Sequence, residues 1–235
     1  MSVDDLVLVQ GLRDTRGALE RWNADPWPVL RVWVGGALIV ASLLLASVWA
    51  IAALSPADLS LLHLPGLTEP ATVGDLLPIL FRNSLVLALH AFACVAGFIA
   101  GSSLVISAQQ RTGLSKLIHE KARPVAFAWV GLVTCFSLIT QAYALGLTGA
   151  QLASQLGVSP GVLVLTILPH AIPELTALFL PLAAWVIASR RNDWQDLLAA
   201  TFATVAVAIP TLICAAAWEV FVWPHILEAV SPVYG

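Results

Sequence analysis

Charge is scarce in this chain. Asp, Glu, Lys and Arg make up 11% of its 235 residues, while 59% are hydrophobic and the mean hydropathy is +0.89. Ordinary soluble domains carry about 25% charged residues, so the composition is that of an integral membrane protein with the lipid bilayer as its first partner. The 11 basic residues form no long run, which excludes the electrostatic footprint of a nucleic-acid binder. Cysteine is also rare. Cys94, Cys135 and Cys214 each fall inside an apolar run without CxxC or Cys/His spacing. Neither a disulfide framework nor a zinc site is expected, and the three read as small packing residues. Walker and GxGxxG motifs are missing, and no loop is long enough to fold into a nucleotide-binding domain. The expectation is a chain that is not an enzyme and holds no cofactor and no metal.

What is abundant is apolar sequence in long windows. Five are long enough to cross ~30 Å of hydrocarbon: about 32–54, 84–106, 125–147, 162–188 and 197–222. Ahead of the first, Leu6, Val9, Leu12, Leu19 and Trp22 have helical spacing, and Asp25-Pro26-Trp27-Pro28 breaks any helix. Residues 4–23 therefore read as an amphipathic helix, either lying on the membrane surface or docked on the protein's own loops. The polar region before the first window is nearly 30 residues long and the window exceeds a signal-peptide core, so a retained anchor is expected. Ten of the eleven basic residues fall on one side of the spans, with Arg82 the exception. The positive-inside rule puts that side in the cytoplasm. The expected layout is a cytoplasmic amphipathic segment at 1–28, a five-helix transmembrane domain at 29–225 and an extracytoplasmic tail at 226–235, in a bacterial inner membrane.

One short stretch stands out within the fourth window, Leu168-Pro169-His170-Ala171-Ile172-Pro173-Glu174-Leu175. A carboxylate at bilayer depth costs at least ~2.5 kcal/mol on insertion scales and marks a functional site by default. Pro169 and Pro173 are expected to split the span, with Glu174 in the first turn of the inner half-helix where the dipole favours an anion. The fold class read from sequence is thus all-α: a polytopic bundle of five transmembrane helices, the fourth broken at Pro169/Pro173, plus the N-terminal amphipathic helix. His170 and Glu174 are expected to pair across the break, or to hold a proton or cation between them. At 1.5 Å per residue, Arg82, Asn83 and His90 from the second span approach the same half of the bilayer. Thr140, Gln141 and Tyr143 approach it from the third, and Glu219 and Trp223 from the fifth. The candidate polar site is His170, Glu174, Pro169, Pro173, Asn83, Arg82 and His90. Either it is a structural hydrogen-bond clamp or it binds a solute. Gly97 and Gly101 form a GxxxG pair that lets two helix backbones approach closely, within the monomer or in a homodimer.

The PHAIPEL segment in a late span resembles the Pro-His-Gly…Glu-Leu signature of the stage II sporulation protein M family, with Ala171 at the glycine position. Asn83, opening an earlier span, also resembles that family's pattern, and the likeness covers roughly residues 30–225. It implies a membrane scaffold that recruits peptidoglycan-remodelling enzymes during forespore engulfment, and hence envelope-remodelling protein partners. The competing function is a transporter or channel subunit for a proton, cation or small polar solute, using His170 and Glu174.

Overall fold

The computed structural model describes residues 7–56, 62–99 and 114–234, with side chains described throughout these except at 7–12 and 114–127. Its helices are α1 (Val7–Ala24), α2 (Trp27–Leu54), α3 (Leu76–Phe98), α4 (Leu114–Leu156), α5 (Pro160–Arg191), α6 (Leu197–Phe221) and α7 (Trp223–Val230). No strand occurs among the described residues, and five helical stretches are long and apolar enough to cross a membrane. The protein is an all-α polytopic membrane protein. Large apolar side chains such as Ile39, Leu43, Phe92, Phe136 and Phe202 stand on exposed faces, as expected where the surrounding solvent is hydrocarbon rather than water.

Helix boundaries follow local chemistry, and several differ from the sequence reading. The Asp25-Pro26 break is present, and α2 begins with Pro28 in its first turn, where its missing N–H would be unsatisfied anyway. The second span starts earlier than expected. Asp75 accepts the backbone N–H and the hydroxyl of Thr72 at 2.7 and 2.8 Å, forming a turn that feeds directly into α3. Arg82 and Asn83 therefore lie inside the helix and not at its mouth. The third span runs on to Leu156, so the loop expected after residue 147 is helical. Its buried residues Leu152, Ala153 and Leu156 pack with Leu163, Trp223 and Leu227. The chain turns at Gly157, whose φ of +68° is the left-handed conformation that glycine adopts without strain. At the far end, residues 223–230 form a helix rather than a loose tail, tied down by Ser231 Oγ donating to Leu156 O at 2.8 Å.

The expected break in the fourth span is absent. The 32-residue α5 runs without interruption through Pro169, Pro173 and Pro181. Each proline deletes one backbone hydrogen bond, and the ladder closes again on either side. α5 is also the most enclosed of the five spans, and burial of its other face offsets those losses. Pro169 and Pro173 lie on its exposed side.

The chain divides into two compact units. The first comprises Met1–Ala37, Val86–Cys135 and Leu178–Ala208. Here α1 is docked on the protein's own chain: Arg21 Nη2 donates to both Asp196 carboxylate oxygens at 3.1 and 3.2 Å, and Trp22 meets Trp33 edge-on at 5.1 Å. These contacts are those expected of a helix docked on the protein's own loops. A Cβ at Gly97 would come within 2.7 Å of Trp185 Nε1, so this glycine serves a close approach inside the monomer. Its expected partner Gly101 lies outside the described residues. The second unit comprises Leu38–Leu85, Phe136–Ala177 and Ile209–Gly235. Close approach recurs there at Gly146, where a Cβ would come within 2.6 Å of Ile51.

Candidate intramembrane polar site

Three polar residues one turn apart on α5 organise the second unit. Thr166, His170 and Glu174 follow at i, i+4 and i+8, which places them along one face of the helix, and all three are buried. Thr166 Oγ donates to Leu163 O and accepts the indole N–H of Trp223 at 3.1 Å. The His170 ring lies against that same indole, with centroids 5.4 Å apart and planes tilted by 57°. Glu174 Oε1 accepts the side-chain amide of Asn83, from α3, at 2.8 Å. The first residue of α7 and one turn of α3 are thereby fixed onto the same stripe.

This stripe borders a cavity of about 280 Å³. His170, Glu174, Arg82, Glu219 and Trp223 line its polar part, and leucine, valine and alanine side chains of α2, α4 and α5 line most of the remainder. Arg82 acts electrostatically on both Glu174 and Glu219, and the two carboxylates act on each other. A second cavity of about 240 Å³ shares Arg82, Glu219, Trp223 and His63 with the first. His63, in the segment leading to α3, pairs with Glu69. Gln155 holds that segment in place, accepting the Leu62 N–H at 2.8 Å and donating to Leu62 O at 3.2 Å.

The candidate set is thus partly assembled and partly dispersed. Asn83, Arg82, His170 and Glu174 come together. The carboxylate, however, is paired with Asn83 and not with His170, because the unbroken helix keeps His170 and Glu174 stacked one turn apart rather than facing across a gap. Pro169 and Pro173 are on the other side of α5 and do not line the cavity. His90 belongs to the first unit. There its Nδ1 donates to Leu178 O at 3.1 Å, the carbonyl being able only to accept, and its ring meets Phe179 edge-on at 5.4 Å. Cys94, one turn on, donates to Pro181 O at 3.0 Å. These two α3 side chains bond α5 carbonyls beside Pro181, as polar side chains do around prolines in membrane helices. Thr140 and Tyr143 are exposed; the Thr140 hydroxyl bonds to its own helix and the Gln141 amide donates to Ser137 Oγ.

Glu219, Trp223 and Thr166 join the site without having been in the candidate set. Glu219 was detectable by the rule that singled out Glu174, a carboxylate inside an apolar run. Trp223 is expected from its position to reach this half of the bilayer, but its place against His170 depends on the α6–α7 turn. Among the described residues, no group of three His, Cys, Asp or Glu side chains could hold a metal ion.

Residues 122–224 match the family model described as Stage II sporulation protein M. The matched region contains His170, Glu174, Glu219 and Trp223 and leaves out Arg82 and Asn83, so it is narrower than the resemblance read from the sequence. No curated protein and no solved structure matches the chain.

Proposed function

We propose, starting from the match of residues 122–224 to the stage II sporulation protein M family, that this multipass membrane protein binds a small solute within the membrane and passes it on. It does so in the bacterial inner membrane, as a non-enzymatic subunit. The observation that carries this reading is the cavity in which Arg82, Glu174, Glu219 and His170 meet. Charged groups at membrane depth are retained chiefly where they line a pathway or a ligand site. An N-terminus in the cytoplasm and a C-terminus outside follow from the ten basic residues on one side of the spans. On that orientation, the cavity belongs to the extracytoplasmic half.

The test is water access to position 174. Glu174→Cys is introduced into a variant lacking Cys94, Cys135 and Cys214, and sealed vesicles are treated with a membrane-impermeant thiol reagent from each side. Labelling from the extracytoplasmic side is the expected result. A folded protein that labels from neither side would rule the solute reading out.

A second reading is favoured by the Asn83–Glu174 bond and by the unbroken α5. Both suit a rigid scaffold that recruits envelope-remodelling proteins or a second copy of itself, the role that the resemblance to that family implies. On that reading, Glu174→Gln changes stability and leaves solute flux untouched.

A further inference from the structure

The lining of the 280 Å³ cavity divides into a long apolar part and a short charged one. Along α5 the lining extends from Pro160 to Leu175, about 22 Å of helix at 1.5 Å per residue. From Pro160 to Ile167 its α5 side chains are apolar, and the residues that α2 and α4 contribute are apolar or small apart from Thr148. The charged part holds two carboxylates, Glu174 and Glu219, and one guanidinium, Arg82. With both carboxylates ionised, these side chains carry one negative charge more than Arg82 balances, and a cation bound between them would hold them in that state. An independent feature also points to a missing ligand. His170 lines the cavity at 4% exposure, and its Nδ1 has no hydrogen-bond partner among the described residues. Next to it, the Trp223 indole is locked by Thr166, and an aromatic face of this kind attracts cations.

We propose that this cavity binds an amphiphilic organic ammonium, its apolar chain lying against α2, α4 and α5 and its cationic nitrogen drawn to Glu174 and Glu219 beside Trp223. This rests on the solute reading above and gives it a ligand class. One positive charge neutralises the carboxylate excess, and the apolar walls select against small inorganic cations. A free amine and the ammonium headgroup of a membrane lipid share this chemistry.

The test is isothermal titration of the full-length protein with hexylammonium, using hexanoate and hexanol as matched anionic and neutral probes. Hexylammonium is expected to bind saturably and the other two are not. Glu219→Gln, which removes a carboxylate with no structural hydrogen bond of its own among the described residues, is expected to weaken binding roughly tenfold or more. Glu228→Gln, at an exposed carboxylate of α7 that does not line the cavity, should leave Kd unchanged. Equal affinity for hexanol, or an unaltered Kd in Glu219→Gln, would overturn the proposal and leave a simple apolar void. No binding by any probe, in a protein whose Glu174→Cys variant is labelled by the thiol reagent, would overturn the ligand class while sparing the aqueous pathway. Nanodiscs separate the two sources. If a lipid headgroup is the natural occupant, phosphatidylethanolamine competes with hexylammonium and raises its Kd over that in phosphatidylglycerol alone. If a free amine is, the two Kd values agree.

Discussion

Asn83 Nδ2 stands 2.8 Å from Glu174 Oε1, joining α3 to α5 across 91 positions of sequence. Both residues are buried, at 3% and 9% exposure. One carboxylate oxygen is thus held by a neutral donor, and the other is left for the cavity. Orientation, rather than neutralisation, is what the amide supplies.

Replacing Asn83 by Leu removes the donor and leaves a buried carboxyl oxygen unsatisfied, at a cost of about 1–3 kcal/mol. Thermal unfolding of the purified protein in detergent should show the midpoint lowered. Asn83→Gln, which keeps the amide, should recover part of the loss. An unchanged midpoint in Asn83→Leu would mean the bond contributes nothing to the fold.

The Thr166–Trp223 bond should behave as a coupled pair. Thr166→Val leaves the indole N–H without its acceptor and is expected to cost about 1–2 kcal/mol. Trp223→Phe removes the N–H as well as the larger ring. If the bond matters, the double variant falls short of the sum of the two single losses in a mutant cycle. Additive losses would show the two residues to be independent.

Pro169→Ala and Pro173→Ala restore backbone donors on the exposed side of a continuous helix. Helical proline is about 3 kcal/mol less favourable than alanine, so both variants should be at least as stable as the parent, with labelling at position 174 unaltered. A collapse of stability or access in either variant would show that the prolines shape the site after all.

His90→Leu deletes the donor to Leu178 O in the first unit, where the ring is fully buried. A loss of about 1–3 kcal/mol in stability is expected, with hexylammonium affinity unchanged because His90 does not line the cavity. Reduced affinity in a normally stable His90→Leu protein would place this histidine in the binding machinery.

Gly97 is a packing test of a different kind. A methyl group there would meet Trp185 Nε1 at 2.7 Å and Leu197 Cδ1 at 3.0 Å, so Gly97→Val is expected to be overpacked by about 1–3 kcal/mol. Circular dichroism melting would register it as a lower midpoint. Wild-type behaviour would show that the indole can swing aside.

The amino-acid sequence by itself determined that this is a multipass membrane protein with five spans, that Glu174 lies inside one of them, and which family its C-terminal half resembles. Length and hydropathy suffice for the spans, because a bilayer demands about 20 apolar residues per crossing and internally satisfied backbone. Boundaries were less legible where polar residues continue a helix, as in Thr148–Leu156: burial of one face, which hydropathy averages away, extends α4. Proline was misleading for a related reason. Its local cost is visible in sequence, whereas the enclosure that lets α5 carry Pro169 and Pro173 unbroken is a property of its neighbours. Only tertiary structure decided that Glu174 pairs with Asn83 rather than His170, that His90 bonds an α5 carbonyl in the other unit, and that Glu219 and Trp223 complete the charged end of the cavity. Such pairings depend on the rotation of each helix about its axis, and that rotation is set by side-chain packing between segments distant in sequence.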